Sequence, residues 1–214
     1  MPDLTEFFAL LKHQLSLELP GESSQQHFSG NPSYSTSLLL KQNPSYRKSA
    51  VLILLWPQNE QVRSLLIRRP IYPGVHSGQI AFPGGRYEPS DIDLMDTSIR
   101  EAREEIGVSV NRNQVIGKLS PLYIPPSNFM VQPYIGLLAE QPMYSPDEKE
   151  VDAVIEFNLL DILNPSLLRS SERILSDGRK AETPYYDLGG SEVWGATALI
   201  LSELAILVKQ AISF

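Results

Sequence analysis

The sequence predicts an α/β (α+β) chain in which a mixed β-sheet is sandwiched between helices. Candidate strands and helices interleave along the chain. Several strand pairs are joined by turns too short for a crossover helix, so those pairs must be antiparallel, and a doubly wound parallel sheet is disfavoured. One central helix shows an apolar face beside an acidic one, as a helix packed on a sheet and open to a ligand would.

Leu4, Phe7, Phe8, Leu11 and Leu15 recur at helical spacing and predict an N-terminal amphipathic helix. Residues 20–48, rich in Ser, Gln, Asn, Gly and Pro with an apolar patch at Leu38–Leu40, read as a connector lying over the domain surface. Together they form an N-terminal appendage, residues 1–48, ahead of a core domain at 49–214. That domain opens with the continuous apolar run Ala50–Trp56, short and β-branched enough for a buried strand. Ser64–Arg68 follows as a second strand after a turn at Pro57–Glu60, and Gln79–Phe82 is a short extended segment leading into a Pro-Gly-Gly turn. A helix occupies about Leu94–Ile106. Val115–Leu119, Val131–Leu138 and Val151–Phe157 read as further strands, and Asn158–Leu163 as a short helix ended by Asn164-Pro165. Arg173–Ser176 and Thr183–Leu188 suit a hairpin around Asp177-Gly178. A last helix runs from near Gly195 to about Ile212, and Trp194 at its start reads as a packing anchor. The N-terminal helix has two places to pack: its own domain or the second subunit of a homodimer.

Composition narrows the function classes. At 214 residues, with 42% hydrophobic content, the chain fits one domain with an appendage. The net charge of −7 argues against a nucleic-acid partner, which would call for a basic stripe. It leaves room for an anionic small substrate, because bound cations reverse a local field. The absence of cysteine excludes disulfides, zinc–thiolate sites and cysteine nucleophiles. Met1–Pro20 shows no secretory leader, and no run approaches the ~18–20 apolar residues of a membrane span. The expectation is a soluble cytoplasmic protein with no membrane partner.

The most informative stretch is FPGGRYEPSDIDLMDTSIREAREEIGV, Phe82 to Val108. Its helix carries Glu101, Glu104 and Glu105, and positions i, i+3 and i+4 share one face. Like charges so placed destabilise a helix by a few tenths of a kcal/mol. A hard divalent cation such as Mg²⁺ or Mn²⁺, which prefers oxygen ligands, would account for them. Runs such as REAREE are common on solvated helix faces. Here, however, glycines bound the segment on both sides, and Ile92, Leu94, Met95, Ile99, Ala102 and Ile106 provide an apolar face. A backbone carbonyl from Gly84-Gly85 adds a further oxygen, since glycine lets a backbone approach closely.

These residues resemble the Nudix box, G-x5-E-x7-R-E-U-x-E-E-x-G-U with U a bulky apolar residue. Arg100, Glu101, Glu104, Glu105, Gly107 and Val108 match its second half, with a small Ala102 at the first U. In the first half, five residues after Gly85, Asp91 replaces Glu, and one extra residue separates it from Arg100. An Asp with one insertion resembles the coenzyme A pyrophosphatase branch. So do HSGQIAFPGG (His76–Gly85), SAVLILL, YIPPSNFMVQPYIG (Tyr123–Gly136) and VWGATA (Val193–Ala198), and the similarity covers about residues 49–205. That branch usually pairs an Arg with Ser or Ala, with a second Arg four residues on. Here Pro70 follows Arg69, and Gly74 holds the second position.

The resemblance implies an α/β/α sandwich and a Mg²⁺- or Mn²⁺-dependent hydrolase cleaving a diphosphate bond in a nucleoside diphosphate derivative. The branch implies coenzyme A or acyl-coenzyme A as substrate, with ADP-ribose, dinucleotides or nucleoside triphosphates as alternatives. A non-catalytic ligand-sensing domain is the reading from a different class. Glu101 and Glu105 would be principal metal ligands and Glu104 a ligand or partner of metal-bound water, with the Gly84 carbonyl completing the set. Asp91 would brace the loop. Arg100 suits bidentate pinning of a carboxylate. The general base is a glutamate of the box or one from a later loop, where Glu148 and Glu150 stand just before a strand. Strand alternation puts Arg68 and Arg69 on opposite faces, so one of them faces the site, and Arg69 is preferred, with Arg86 second. His76 and Gln79, from the segment ahead of the glycines, are further candidates to contact substrate.

Overall fold

The computed structural model describes residues 3–25, 28, 35–71, 77–174, 178 and 180–213. Its frame is β1 (Arg47–Gln58), whose continuous apolar run follows from burial on both faces. Leu52, Leu54 and Trp56 join one core cluster with Ala102 and Ile106, while Ile53 and Leu55 join another with Phe7, Leu11, Leu204 and Leu207. β1 pairs antiparallel with β2 (Gln61–Arg68) through a two-residue turn in which Asn59 and Glu60 both have positive φ (49° and 62°). Such a turn matches the twist of the strands it joins. Short β3 (Ile80–Ala81) pairs with β2, and β4 (Gly84–Arg86) pairs with β1, so the expected Pro-Gly-Gly turn continues as a strand.

α4 (Leu94–Ile106) spans the expected range, with the Asp93 carboxylate accepting from Asp96 N–H (3.0 Å) at its start and left-handed Gly107 at its end. β5 (Val115–Lys118) and β6 (Leu122–Ile124) both pair antiparallel with β7 (Phe129–Leu137). β7 in turn pairs parallel with β1, and β8 (Ala153–Asn158) pairs antiparallel with β2. The sheet is therefore mixed, with α4 on one face and α1 (Leu4–Gln14) and α5 (Gly195–Ile212) on the other. β9 (Leu168–Ile174), β10 (Lys180–Leu188) and β11 (Ser191–Val193) form a second, antiparallel sheet. It contains the expected hairpin with longer strands and one strand more, and residues 175–177 and 179 of its tip lie outside the described residues.

Two expectations need correction, and of the two packing places open to the N-terminal helix one is taken. The connector contains two short helices, α2 (Glu22–Gln25) and α3 (Thr36–Gln42), and the apolar patch Leu38–Leu40 belongs to the latter. α1 packs on α5 of its own chain, with Phe7 and Leu11 fully buried. Finally, α5 is long and apolar enough, by length and composition, to cross a membrane. Its apolar residues surround it because it is a core helix; 61% of it is buried in the protein. Glu203, 0% exposed in this helix, accepts the N–H groups of Gly21 (3.0 Å) and Ser120 (3.1 Å) and so ties the connector and the β5–β6 loop to α5.

Candidate active site

The carboxylates of α4 are held by the strand before it. β4 lies so close to β1 that a Cβ on Gly84 would sit 2.3 Å from the Ala50 carbonyl oxygen. A Cβ on Gly85 would sit 2.4 Å from Glu101 Oε1, so the missing side chain makes the space the carboxylate occupies. Glu105, 1% exposed, accepts the Gly84 N–H at 2.7 Å. Arg69 closes the group: its Nη2 donates to the Gly84 carbonyl (3.0 Å) and stands 3.3 Å from Glu105 Oε1. Arg68, on the other face, pairs with Asp152 at 2.7 Å.

Arg100 works behind this cluster. It grips Asp91 bidentately, Nε to Oδ1 at 2.9 Å and Nη2 to Oδ2 at 3.1 Å. It also reaches Glu101 (3.0 Å), Glu104 (2.8 Å) and the Arg86 carbonyl (2.9 Å). Asp91 in turn accepts from the Glu88 N–H (2.9 Å) and the Thr97 hydroxyl (2.8 Å), so the acid where the box has Glu clamps the loop to the helix.

Electrostatics sort the carboxylates. The hydrogen bonds from Arg100 hold Asp91 down at about 2, against the cost of burial. Burial pushes Glu105 up to about 7; Arg69 and the Gly84 N–H oppose the rise, and the charges of Glu101 and Glu150 add to it. Burial also raises Glu101, against the pull of Arg100. Burial thus favours the neutral form of both acids, and a cation arriving beside them would favour the charged form.

Glu101, Glu105 and Glu150 line one cleft of about 330 Å³ with Arg69, Pro70, Gly84, Gly85, Arg86 and Lys149. The sequence-predicted Glu101, Glu105, Glu150, Gly84, Arg69 and Arg86 are thus brought together. Glu104, its side chain 48% exposed, stands beside the cleft on Arg100 and does not line it. Gln79 lines an adjoining apolar slot of about 270 Å³. His76 lies outside the described residues. Sequence reasoning passed over Lys149, between the two glutamates it weighed, and the slot walls Ile124, Phe129 and Ile200, and it read Trp194, which also lines the slot, as a packing anchor. The segments YIPPSNFMVQPYIG and VWGATA, already singled out, contain Ile124, Phe129 and Trp194.

A family model described as NUDIX domain matches residues 46–176. The chain belongs to the Nudix family. An uncharacterized Nudix hydrolase, NudL, of Yersinia pestis (strain Pestoides F) is 37% identical over 162 residues, 74% of this chain and 78% of the relative. Its counterpart in Yersinia pseudotuberculosis serotype O:3 (strain YPIII) matches to the same extent. Among solved structures, a MutT/nudix family protein from Enterococcus faecalis (TM-score 0.50, 17% identity, 92% of this chain and 74% of that one) shares the fold. A MutT protein from Methanosarcina mazei Go1 (TM-score 0.50, 17% identity, 75% and 93%) does so too. The protein is a Nudix hydrolase, an enzyme acting on pyrophosphate bonds.

Nudix hydrolases generally use divalent ions such as Mg²⁺ or Mn²⁺. The donor set here fits one by its chemistry: hard carboxylate oxygens of Glu101, Glu105 and Glu150 beside the Gly84 main-chain carbonyl. As they stand, no three acidic or imidazole side chains among the described residues converge on one point. Glu105 and the Gly84 carbonyl are turned to Arg69, while Glu101 and Glu104 are turned to Arg100.

Proposed function

We propose that this Nudix hydrolase cleaves the diphosphate of coenzyme A or acyl-coenzyme A, with Mg²⁺ or Mn²⁺, to give 3′,5′-ADP and (acyl-)4′-phosphopantetheine. The observation that carries the reading is the cleft itself, where Glu101, Glu105 and Glu150 share one lining with Arg69, Arg86, Lys149 and the Gly84-Gly85 backbone. The likeness of HSGQIAFPGG and the inserted Asp91 box to the coenzyme A branch supports the choice of substrate.

In this reading Glu101, Glu105 and the Gly84 carbonyl would hold the ion, with Glu104 adjoining. A divalent cation there would supply positive charge to the phosphoryl oxygens and make water a better nucleophile. Arg69 and Arg86 bind the diphosphate, their planar guanidinium groups matching two oxygens at once. Glu150, at the cleft rim, takes the proton of the attacking water. Arg100 keeps Glu101 in register by locking α4 to the Asp91 loop.

A panel of coenzyme A, acyl-coenzyme A, ADP-ribose, NADH and dinucleoside polyphosphates, assayed with each ion in ¹⁸O-water, tests this. The expected result is fastest turnover of coenzyme A or a thioester, with label in one phosphate product. Coenzyme A left intact while another diphosphate turns over would refute it.

A further inference from the structure

The apolar slot shares Arg69, Gly84, Gly85 and Arg86 with the acidic cleft, so a chain leaving a phosphate held there enters the slot directly. We propose that this slot is the subsite for the pantetheine or acylpantetheine arm, with Trp194 as its wall, and that the nucleotide half leaves by the opposite rim of the cleft. The inference rests on the coenzyme A reading above.

The slot's chemistry selects between the two halves. Its lining is mostly apolar and includes Ile124, Phe129, Val131, Trp194 and Ile200. Its hydroxyls are already spent on main-chain carbonyls: Thr197 on Ile80 (2.8 Å), Ser49 on Met130 (3.2 Å) and Ser127 on Ile124 (3.5 Å). The hydroxyls can still accept, but an adenine there would find none of them free to donate to its ring nitrogens after losing water. The arm's methylene, geminal methyl and acyl groups lose nothing by the same move, and its two amides, which carry the same cost, would sit beside Arg69, Gln79 and Arg86 of the lining. Lys149 lines the cleft and not the slot, while Arg69 and Arg86 line both, so a phosphate-rich nucleotide held in the cleft keeps a cation that the slot lacks.

The wall is braced from the second sheet. Trp194 follows β11, and the Arg173 guanidinium lies 4.6 Å from its ring centroid and 5.8 Å from that of Tyr185, anchored by an ion pair with Glu192. Arg173 is a positioning residue: it reaches neither pocket and acts through the indole.

Product inhibition separates the halves. Trp194→Ala should raise KM for coenzyme A about tenfold, with a smaller fall in kcat, as loss of uniform binding requires. Inhibition by 4′-phosphopantetheine should weaken by about the same factor, while inhibition by 3′,5′-ADP changes less than about twofold. Ala196→Phe, which fills the slot from a half-buried position, should reproduce the split without emptying the core. Arg173→Met should raise KM severalfold, and Arg173→Lys should restore most of it. Selective weakening of 3′,5′-ADP, or equal weakening of both products, overturns the assignment while leaving coenzyme A hydrolysis standing. A wild-type enzyme that leaves coenzyme A intact overturns the underlying reading, and this one with it.

Discussion

Arg69 Nη2 stands 3.3 Å from Glu105 Oε1 and 3.0 Å from the Gly84 carbonyl, so one guanidinium serves a buried acid and the glycine backbone at once. The pair does not compensate the acid fully, because burial and the neighbouring Glu101 and Glu150 still lift Glu105 to about 7. A carboxylate buried at such a cost, facing a cleft, marks a functional position more than a stabilising one.

Glu105→Gln keeps an acceptor for the Gly84 N–H and removes the charge. Turnover with Mg²⁺ should fall by about 10²–10⁴, with Mn²⁺ affinity by titration falling alongside and circular dichroism unchanged. Near wild-type turnover would remove the residue from the mechanism.

The raised Glu105 also sets a pH dependence. Between 4.5, its ordinary value, and about 7 the native metal-free protein holds a proton that the unfolded chain releases. This contribution to stability is therefore full below 4.5, declines as pH rises through that window and is lost above it. An ion requires the deprotonated acid, so its stabilising effect should grow over the same range. Melting in EDTA and in Mg²⁺ at pH 5.5 and 8 should show a gap that widens at pH 8. A constant gap would contradict it.

Asp91 has the opposite sign. Held at about 2 against an ordinary 3.8, it stabilises the native state by on the order of 2 kcal/mol above pH 4, and that support is lost as pH falls toward 2. Urea unfolding between pH 2.5 and 5 should show the slope in the wild type and a flatter profile in Asp91→Asn. Arg100→Met strands the acid and should cost about 3 kcal/mol at neutral pH.

Gly84 and Gly85 should fail differently. Gly85→Ala drives a methyl into the Glu101 carboxylate, a movable group, so activity should drop at least about tenfold with little change in melting. Gly84→Ala meets the Ala50 carbonyl and Val51 backbone, which cannot yield, and should cost about 1–3 kcal/mol. Equal melting losses in both would contradict the geometry.

α4, α5 and the middle of β1 were legible because each carries a full run of periodic or continuous apolar residues with caps or glycines at its ends. α2, β6 and β11 are only three or four residues long, too short to show a period. The acidic cleft could be read because its key acids share one helical turn. Trp194 reads from its neighbours as an anchor, and only the tertiary arrangement puts it beside Phe129 and Ile124, some seventy residues earlier in the chain.

The carboxylate of Glu203 has consequences for trimming the protein. Its two amide partners come from Gly21 and Ser120, and Gly21 precedes the segment matched to the family while Glu203 follows it. Deleting the first forty-five residues would leave a formal charge half-solvated in the heart of a helix that also carries the slot's back wall. A minimal catalytic fragment therefore needs its leading segment as much as its acidic turn.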